Sequence, residues 1–319
     1  MTRPTTLTRQ GLRTVIAEAA TALTDAGVPS PERDAEALAA HALGLPHIVW
    51  YEMPSTGEVL DQARTEAFYG AFDAHVARRR ERYPLQRILG HTAFREITVT
   101  VGEDVFVPRP ETEVVAQVAI DEAARVRAEG RTPVIVDLCC GSGIIGISVD
   151  VEVRGSRVYA ADLSPAAVLL TRHNAGAVGS LTQVVVEGDV ADPALFADLD
   201  GTVDVVVSNP PYIPPGAVPI DPEVRDHDPE LALYGLGDDG LEVPRAVIAA
   251  AARLLAPGGL LVMEHAEVQA AQVRAEVEAT GAFVDVTTRV DLTGRDRMVV
   301  ARRVAAPATE ALDVEHSPS

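Results

Sequence analysis

The chain has 319 residues, 47% of them apolar, and a net charge of −20 from 27 Lys+Arg against 47 Asp+Glu. That length suits one large domain plus a smaller one, and the acidic balance is the opposite of what a protein that lives on a phosphate backbone carries, so direct nucleic-acid binding is not expected. No apolar run reaches the roughly 18 residues of a membrane span, "MTRPTTLTRQ" lacks the apolar core of a signal peptide, and the adjacent Cys139 and Cys140 are the only cysteines, which fits a reducing, cytoplasmic setting.

Residues 1–82 read as a small helical domain. Leu12, Val15, Ile16, Ala19 and Leu23 recur at helical spacing and stop at Gly27, a C-terminal cap. Ser30-Pro31 supplies an N-cap and an N1 proline for a second helix bearing Ala35, Leu38, Ala39, Ala42 and Leu43. A third helix over 58–81 places Leu60, Ala67, Phe68, Ala71, Phe72 and Val76 on its buried side, and Arg78, Arg79, Arg80, Arg82 and Arg87 read as a solvated face. Residues 83–112 form the joint: two alternating segments around Gly102-Glu103-Asp104 predict a β-hairpin, followed by Pro108, Pro110 and a helix from near Glu111.

From 113 to 304 strands alternate with helices. The segments 134–138, 157–162, 183–188, 203–209 and 259–265 are strand-like and separated by helical stretches, which predicts an α/β fold with a parallel, doubly wound sheet. The segments 283–291 and 297–304, joined by a short turn, predict an antiparallel edge hairpin. Residues 305–319 have no periodicity and are expected to be disordered.

Ligands of such sheets bind at the carboxyl ends of the strands. The first strand ends in "DLCCGSG" (137–143), where two glycines permit a tight turn and a helix N-terminus offers free amides. The third glycine of a dinucleotide fingerprint is missing, which leans away from NAD. The second strand ends at Asp162, a carboxylate able to accept both hydroxyls of a ribose, or alternatively to cap the next helix, a role Ser164 fills better. In "EGDV" (187–190), Asp189 could accept from an adenine amine and Val190 cover the ring, although such an Asp also suits a turn. The fourth strand runs into "NPPY", Asn209-Pro210-Pro211-Tyr212.

An amide-like nitrogen is a poor nucleophile, because its lone pair is delocalised and no side chain can strip its proton beforehand. Catalysis on it must come from positioning. If the Asn209 side-chain oxygen and the Pro210 carbonyl each accept one hydrogen of an NH₂ group, the lone pair is turned toward a reacting carbon roughly 3–3.5 Å away. The prolines stiffen the loop so that little entropy is lost on binding, and Tyr212 can stack on the flat group. Glu264 and His265 end the fifth strand as an acid–base pair in appearance, but this chemistry requires no base beforehand, so they are left out of the site. No histidine or second cysteine pair accompanies Cys139-Cys140 at ligand spacing, and no metal site is expected.

Taken together, "DLCCGSG", "AADLSP", "EGDV" and "NPPY" resemble the class I methyltransferases that use S-adenosylmethionine, whose fold is Rossmann-like. The tetrapeptide alone does not separate adenine-N6 DNA methyltransferases from protein glutamine methyltransferases. "YPLQRILG" (83–90), "VFVPRPETE" (105–113), "DPELALYGLGDDGLEVPRAVI" (228–248), "LVMEHAEVQ" (261–269) and "DLTGRDRMV" (291–299) are similar to segments of the HemK/PrmC family of release-factor glutamine-N5 methyltransferases. The resemblance spans 7–304. It implies S-adenosylmethionine as cofactor, held by Cys139, Cys140, Gly141, Ser142 and Gly143, with Asp162 at the ribose, Asp189 and Val190 at adenine, and Asn209 nearby. It implies Asn209, Pro210, Pro211 and Tyr212 as the substrate clamp, with Asn209, Pro210 and Tyr212 catalytic. The implied partner is a class 1 peptide chain release factor, methylated on the glutamine of its Gly-Gly-Gln loop. A glutamine in a flexible loop offers little surface, so residues 1–82 are expected to supply a second contact with the body of the factor, and a monomer is expected. Cys139 departs from the family's usual glycine, which is harmless at negative φ and crowded at positive φ. Three rivals stay open: a glutamine methyltransferase of ribosomal protein L3, a DNA adenine methyltransferase, for which the net charge is unfavourable, and a non-catalytic binding protein, which predicts a damaged clamp.

Overall fold

The computed structural model describes residues 5–180 and 183–304, which cluster into two compact units; the tail expected to be disordered, 305–319, lies outside the described residues. One unit gathers the chain up to Ala93, Thr98–Val107 and Ala217–Pro229. The other holds Phe94–Ile97, Pro108–Gly216 and the chain from Glu230 onward.

The first unit is built on helices α1 (Arg9–Asp25), α2 (Pro31–Ala42) and α3 (Gln62–Arg80), which bury Leu12, Leu23, Leu38, Phe68 and Phe72. Thr8 caps α1 by accepting from Gly11 N over 3.0 Å, and Gly27 follows its end in the left-handed region, as its sequence position predicts. Helix α3 begins later than the expected 58. Glu58–Leu60 instead pairs with Leu7–Thr8 as a short strand. Thr65 locks this start by accepting from Leu7 N over 3.0 Å and donating to the Leu60 carbonyl over 3.2 Å, and Asp61 caps the helix through Arg64 N. Its buried face is Thr65, Phe68, Tyr69, Phe72 and Arg79, so Ala67 stands exposed against expectation. The hairpin is also displaced. Its strands are His91–Phe94 and Ile97–Thr100, turning at Arg95, whose φ is 49° and whose guanidinium grips Glu152 through two 2.7 Å bonds, while Gly102-Glu103-Asp104 lies beyond the second strand.

The solvated arginine face is corrected in part in the same unit: Arg78 and Arg80 are exposed, but the other three are not. Arg79 is buried between Asp34 and Glu223, at 2.7 Å from each, and Arg82 holds both oxygens of Glu223 at 2.7 and 2.5 Å. Arg87 is buried against Asp228 at 3.1 Å and donates to the carbonyls of Val105 and His227. Arg78 lies over the Tyr83 ring at 4.0 Å, a cation–π contact. The arginines therefore fasten the 217–229 segment, which follows "NPPYIPP" in the chain, into the helical unit.

The second unit is a seven-stranded sheet. Its strands are β1 (Val134–Leu138), β2 (Arg157–Asp162), β3 (Gln183–Glu187), β4 (Val203–Ser208), β5 (Leu255–Glu264), β6 (Phe283–Val290) and β7 (Asp296–Arg303), in the order β6-β7-β5-β4-β1-β2-β3. Strands β3-β2-β1-β4-β5 are parallel, and β7 and β6 form the antiparallel edge. The helices between them are α4 (Thr112–Ala128), α5 (Ile144–Glu152), α6 (Pro165–Ala177), α7 (Glu242–Leu254) and α8 (Ala270–Ala279). Strand β4 is buried at every residue, which is why "VDVVVS" reads as a continuous run instead of an alternation. The chain steps outward from β1 through β2 to β3, then returns to the far side of β1 at β4, so the sheet's switch point lies between β1 and β4.

Burial alone would raise the Glu223 carboxyl, but hydrogen bonds led by that from Arg82 outweigh it and hold it well below the ordinary value. Glu223→Gln, which leaves Arg79 buried without its full partner, is expected to cost the helical unit about 3 kcal/mol in urea unfolding at pH 7. Because the folded-state carboxyl is depressed, the wild-type advantage is present above the usual carboxylate range and is lost as pH falls below it.

Candidate active site

Strands β1 and β4 leave the sheet at one level. Leu138 stands opposite Ser208, and Ser208 Oγ donates to the Leu138 carbonyl over 2.7 Å. The loop after β1 passes through the left-handed region three times, at Cys139 (φ 57°), Gly141 (φ 58°) and Gly143 (φ 80°). Cys139 thus falls on the crowded side of the question its sequence raised, at a cost of about 1–2 kcal/mol relative to glycine. At Gly143 space is limiting as well, since a Cβ there would sit 2.6 Å from Thr171 Cγ2. Helix α6 fixes the loop from below: Thr171 Oγ1 donates to the Gly141 carbonyl over 2.9 Å and Asn174 Nδ2 to the Ser142 carbonyl over 3.0 Å. Burial pushes both thiols, Cys139 and Cys140, above their ordinary range, so they stay protonated and unreactive.

Asp137, at the base of this loop, is fully buried. One oxygen accepts from Gly146 N over 2.9 Å, while Oδ1 is buried without a hydrogen-bond partner. Burial pushes this carboxyl up to about 7, opposed by the Gly146 bond. At the end of β2, Asp162 accepts from Gly141 N over 2.8 Å and from Ser164 N over 2.9 Å, tying two strand ends together. Ser164 is the cap of α6, accepting from Ala167 N. Each Asp162 oxygen keeps a further lone pair for a ligand, and burial raises this carboxyl too. After β3, Gly188 N donates to the Asp162 carbonyl over 3.0 Å, Asp189 is exposed with Oδ1 accepting from Ala191 N, and half-buried Val190 packs on the sheet core.

The loop after β4 is gripped from outside. Tyr212 N and Ile213 N both donate to the Leu233 carbonyl, at 3.2 and 2.8 Å, and Gly235 N donates back to the Ile213 carbonyl over 3.1 Å. Gln269 Nε2 donates to the Tyr212 carbonyl over 2.8 Å. Gly235 and Gly240 permit this approach: a Cβ on Gly235 would lie 2.7 Å from the Pro211 carbonyl oxygen, and one on Gly240 2.6 Å from that of Tyr212. The 233–240 segment and Gln269 are site-building residues that sequence reasoning did not assign, although "LYGLGDDG" and "EVQ" stood within the quoted segments. Among the described hydrogen bonds, none engages Asn209 Oδ1 or the Pro210 carbonyl oxygen.

Glu264, left out of the site by sequence, reaches it. Its Oε2 accepts from Thr112 Oγ1 over 2.9 Å, its Oε1 lies 3.5 Å from the Tyr212 hydroxyl, and Thr112 Oγ1 lies 3.5 Å from Asn209 Nδ2. Burial pushes Glu264 up to about 7 and Tyr212 above its usual value. His265 has a different part. Its Nδ1 donates to the Ala266 carbonyl over 2.9 Å, Nε2 is buried without a partner, and burial lowers its pKa, so it stays neutral.

The strand ends fit a cationic nucleoside. An unpartnered buried carboxylate oxygen at Asp137, acceptor capacity at Asp162 and Asp189, and the apolar face of Val190 are the donor-seeking and apolar surfaces such a group needs. Among the described residues, no group of three or more His, Cys, Asp or Glu side chains is arranged to hold a metal ion, and no helix is long and apolar enough to cross a membrane.

The model of the PrmC N-terminal domain matches residues 14–90, and that of the Methyltransferase small domain matches 113–219. The chain is 43% identical over 297 residues to the release factor glutamine methyltransferase of Bifidobacterium longum, covering 90% of this chain and 98% of that one. It is 40% identical over 275 residues to the 4-amino-L-phenylalanine/4-methylamino-L-phenylalanine methyltransferase of Streptomyces pristinaespiralis, covering 85% and 89%. The hMettl16 catalytic domain, solved in complex with the MAT2A 3′UTR hairpin 6, superposes with a TM-score of 0.52 at 15% identity over 70% of this chain and 82% of that one, a likeness of fold alone. Two-domain coverage at this identity, on a methyltransferase fold, makes the chain a member of the release factor glutamine methyltransferase family, an S-adenosylmethionine-dependent enzyme.

Proposed function

We propose that this enzyme methylates the side-chain amide nitrogen, N5, of the glutamine in the Gly-Gly-Gln loop of class 1 peptide chain release factors, acting in the cytoplasm. The observation that carries it is the clamp. Asn209 Oδ1 and the Pro210 carbonyl, two acceptors on a loop stiffened by two prolines and gripped by Leu233, Gly235 and Gln269, suit the two hydrogens of a planar NH₂. Tyr212 offers a flat face beside them. S-adenosylmethionine supplies, when bound, an electrophilic methyl group on a cationic sulfonium that leaves as a neutral thioether. Asp137, Asp162 and Asp189 bring negative charge to the strand ends where that cation would be held, with Cys139, Cys140, Gly141, Ser142 and Gly143 as its backbone cradle and Val190 against its base. The protein residues need no base to start the reaction, because the nitrogen becomes acidic only once it carries the methyl group, and its proton then passes to water.

The relative that acts on 4-amino-L-phenylalanine supports a second reading, because an aromatic amine also presents a flat NH₂. Residues 14–90, matched by the PrmC N-terminal model, favour a protein acceptor. A glutamine in an exposed loop offers little surface, and a separate unit contacting the body of the factor adds discrimination.

Mass spectrometry of a purified class 1 release factor after incubation with the enzyme and S-adenosylmethionine is expected to show one added methyl on the Gly-Gly-Gln glutamine, with Asn209→Ala slower by about a hundredfold. Ribosomal protein L3, adenine-containing DNA and 4-amino-L-phenylalanine serve as competing acceptors, and transfer to one of these alone would overturn the substrate.

Asp137 generates a second expectation. Its folded-state pKa is raised to about 7, so the stability it contributes is present at low pH and is lost as pH rises toward and through 7. The melting temperature of the wild type, measured without cofactor, should therefore fall relative to Asp137→Asn between pH 5 and pH 8, whereas S-adenosylmethionine should bind the variant more weakly by calorimetry.

A further inference from the structure

The Asn209 side chain can serve the clamp in only one of two orientations. Its oxygen and nitrogen ends have nearly the same shape but opposite hydrogen-bonding character. If the amide turns over, an NH₂ meets the incoming NH₂ and the clamp repels what it should hold. Proline cannot enforce the choice, since it fixes the backbone and leaves the side-chain amide free to turn.

We propose that Thr112 and Glu264 are positioning residues that set the polarity of Asn209, so that Oδ1 and not Nδ2 faces the substrate nitrogen. The proposal deepens the clamp reading and rests on it. Glu264 closes β5 with 2% of its surface exposed, and Thr112 opens α4 with 1% exposed. Thr112 Oγ1 donates to Glu264 Oε2 over 2.9 Å. An ionised carboxylate can only accept, so the hydroxyl proton is committed there and Thr112 turns lone pairs toward Asn209. At 3.5 Å from those lone pairs stands Nδ2, the donor end of the amide. A carbonyl oxygen in its place would face oxygen. The contact is long in the free enzyme, as hydrogen bonds of a catalytic site often are before substrate tightens them.

The second oxygen of the same carboxylate, 3.5 Å from the Tyr212 hydroxyl, addresses the other rotatable polar group of the clamp. Holding the path of the loop does not require this relay. That path is already fixed by backbone bonds to the Leu233 carbonyl and by Gln269 on the Tyr212 carbonyl. The relay's distinct contribution is therefore direction.

Direction depends on Glu264 being ionised. Burial pushes its pKa up to about 7; the Thr112 hydroxyl, Arg297 of β7 and the Tyr212 hydroxyl oppose that rise, and Glu111, just before α4, adds to it. Arg297 is itself paired with Asp291 at 3.0 Å. A protonated Glu264 can donate to Thr112, which releases the threonine hydroxyl to donate toward Asn209 and favours the wrong orientation. The raised carboxyl thus makes kcat climb as pH rises through about 7.

The test compares steady-state methylation of a release factor by wild type, Thr112→Val, Thr112→Ser and Glu264→Gln. Thr112→Val should lower kcat about tenfold with KM for the factor and Kd for S-adenosylmethionine within about twofold, and Thr112→Ser should recover most of the loss. Glu264→Gln, which cannot titrate and can offer Thr112 either an oxygen or an NH₂, should give a flat kcat between pH 6 and 8 where the wild type rises. A Thr112→Val enzyme with wild-type kcat, a Thr112→Ser enzyme as slow as Thr112→Val, or one shared pH profile for wild type and Glu264→Gln overturns the relay. A neutron structure of the deuterated enzyme with S-adenosylmethionine reads the orientation without any acceptor. Deuterium on Asn209 Nδ2 pointing at Thr112 supports the relay, and Oδ1 at that place overturns it. If the wild type methylates no release factor, the substrate reading fails, and the neutron structure still decides the relay.

Discussion

The parallel pairing of β1 with β4 is the constraint from which the site follows. These two strands are distant in sequence, yet Leu138 and Ser208 are register partners at their carboxyl ends, and the Ser208 hydroxyl bonds the Leu138 carbonyl. A slip of one residue would turn every side chain of β4 to the other face and move Asn209 away from the Cys139–Gly143 turn. The apolar burial of the whole of β4 makes such a slip costly, since Val205, Val206 and Val207 have no exposed surface to exchange. The site's geometry is therefore set by the core beneath it and not by the loops themselves.

Neighbouring elements hold both loops in place, and the loop after β1 accepts strain at Cys139. Cys139 lies at positive φ without being glycine, and its loop is kept there by Thr171 and Asn174 from α6 and by the Asp162 carboxylate from β2. The clamp is rigid in a second sense. Its prolines restrict the backbone locally, whereas the 233–240 segment closes over it with glycines at the two points where any side chain would collide with the Pro211 or Tyr212 carbonyl. Local stiffness and external packing agree on one conformation, which leaves the loop little conformational entropy to lose on binding.

What could be read in the sequence tracks the range of the interactions involved. Strands β1 and β2 end where the hydrophobic run ends, because a buried parallel strand writes its burial into contiguous residues. The edge pair β6 and β7 was legible from its short connection. Strand β5, by contrast, begins at Leu255 and not at 259, since Pro257-Gly258-Gly259 reads as a break while β5 continues across it. Arg79 and Arg87 looked solvated because charge predicts exposure unless a partner is known, and their partners Glu223 and Asp228 lie more than a hundred residues away. The φ of Cys139 decides whether its side chain is crowded, and a sequence does not contain φ. Thr112 and Glu264 were hidden for the same reason as the arginines: each stands in a quoted motif, but their hydrogen bond joins α4 to β5.

The three buried or nearly buried acids, Asp137, Asp162 and Glu264, lie on the carboxyl side of the sheet, and burial raises the pKa of each. A fold selected for stability alone would replace them, because an ionised carboxylate in such surroundings carries a desolvation cost. Their roles divide by geometry. Asp137 accepts from Gly146 N of α5 and Asp162 from Gly141 N of the loop after β1, while Glu264 addresses Thr112 and Tyr212. On the proposed function, the sheet concentrates its destabilising charge where one loop would hold a cation and the next would orient a neutral amide. Those two tasks require opposite things of a carboxylate. In the first, its charge would face the ligand; in the second, Thr112 Oγ1 stands between the Glu264 carboxylate and Asn209 Nδ2, so that the charge would set the direction of a hydrogen bond without competing for the substrate's hydrogens.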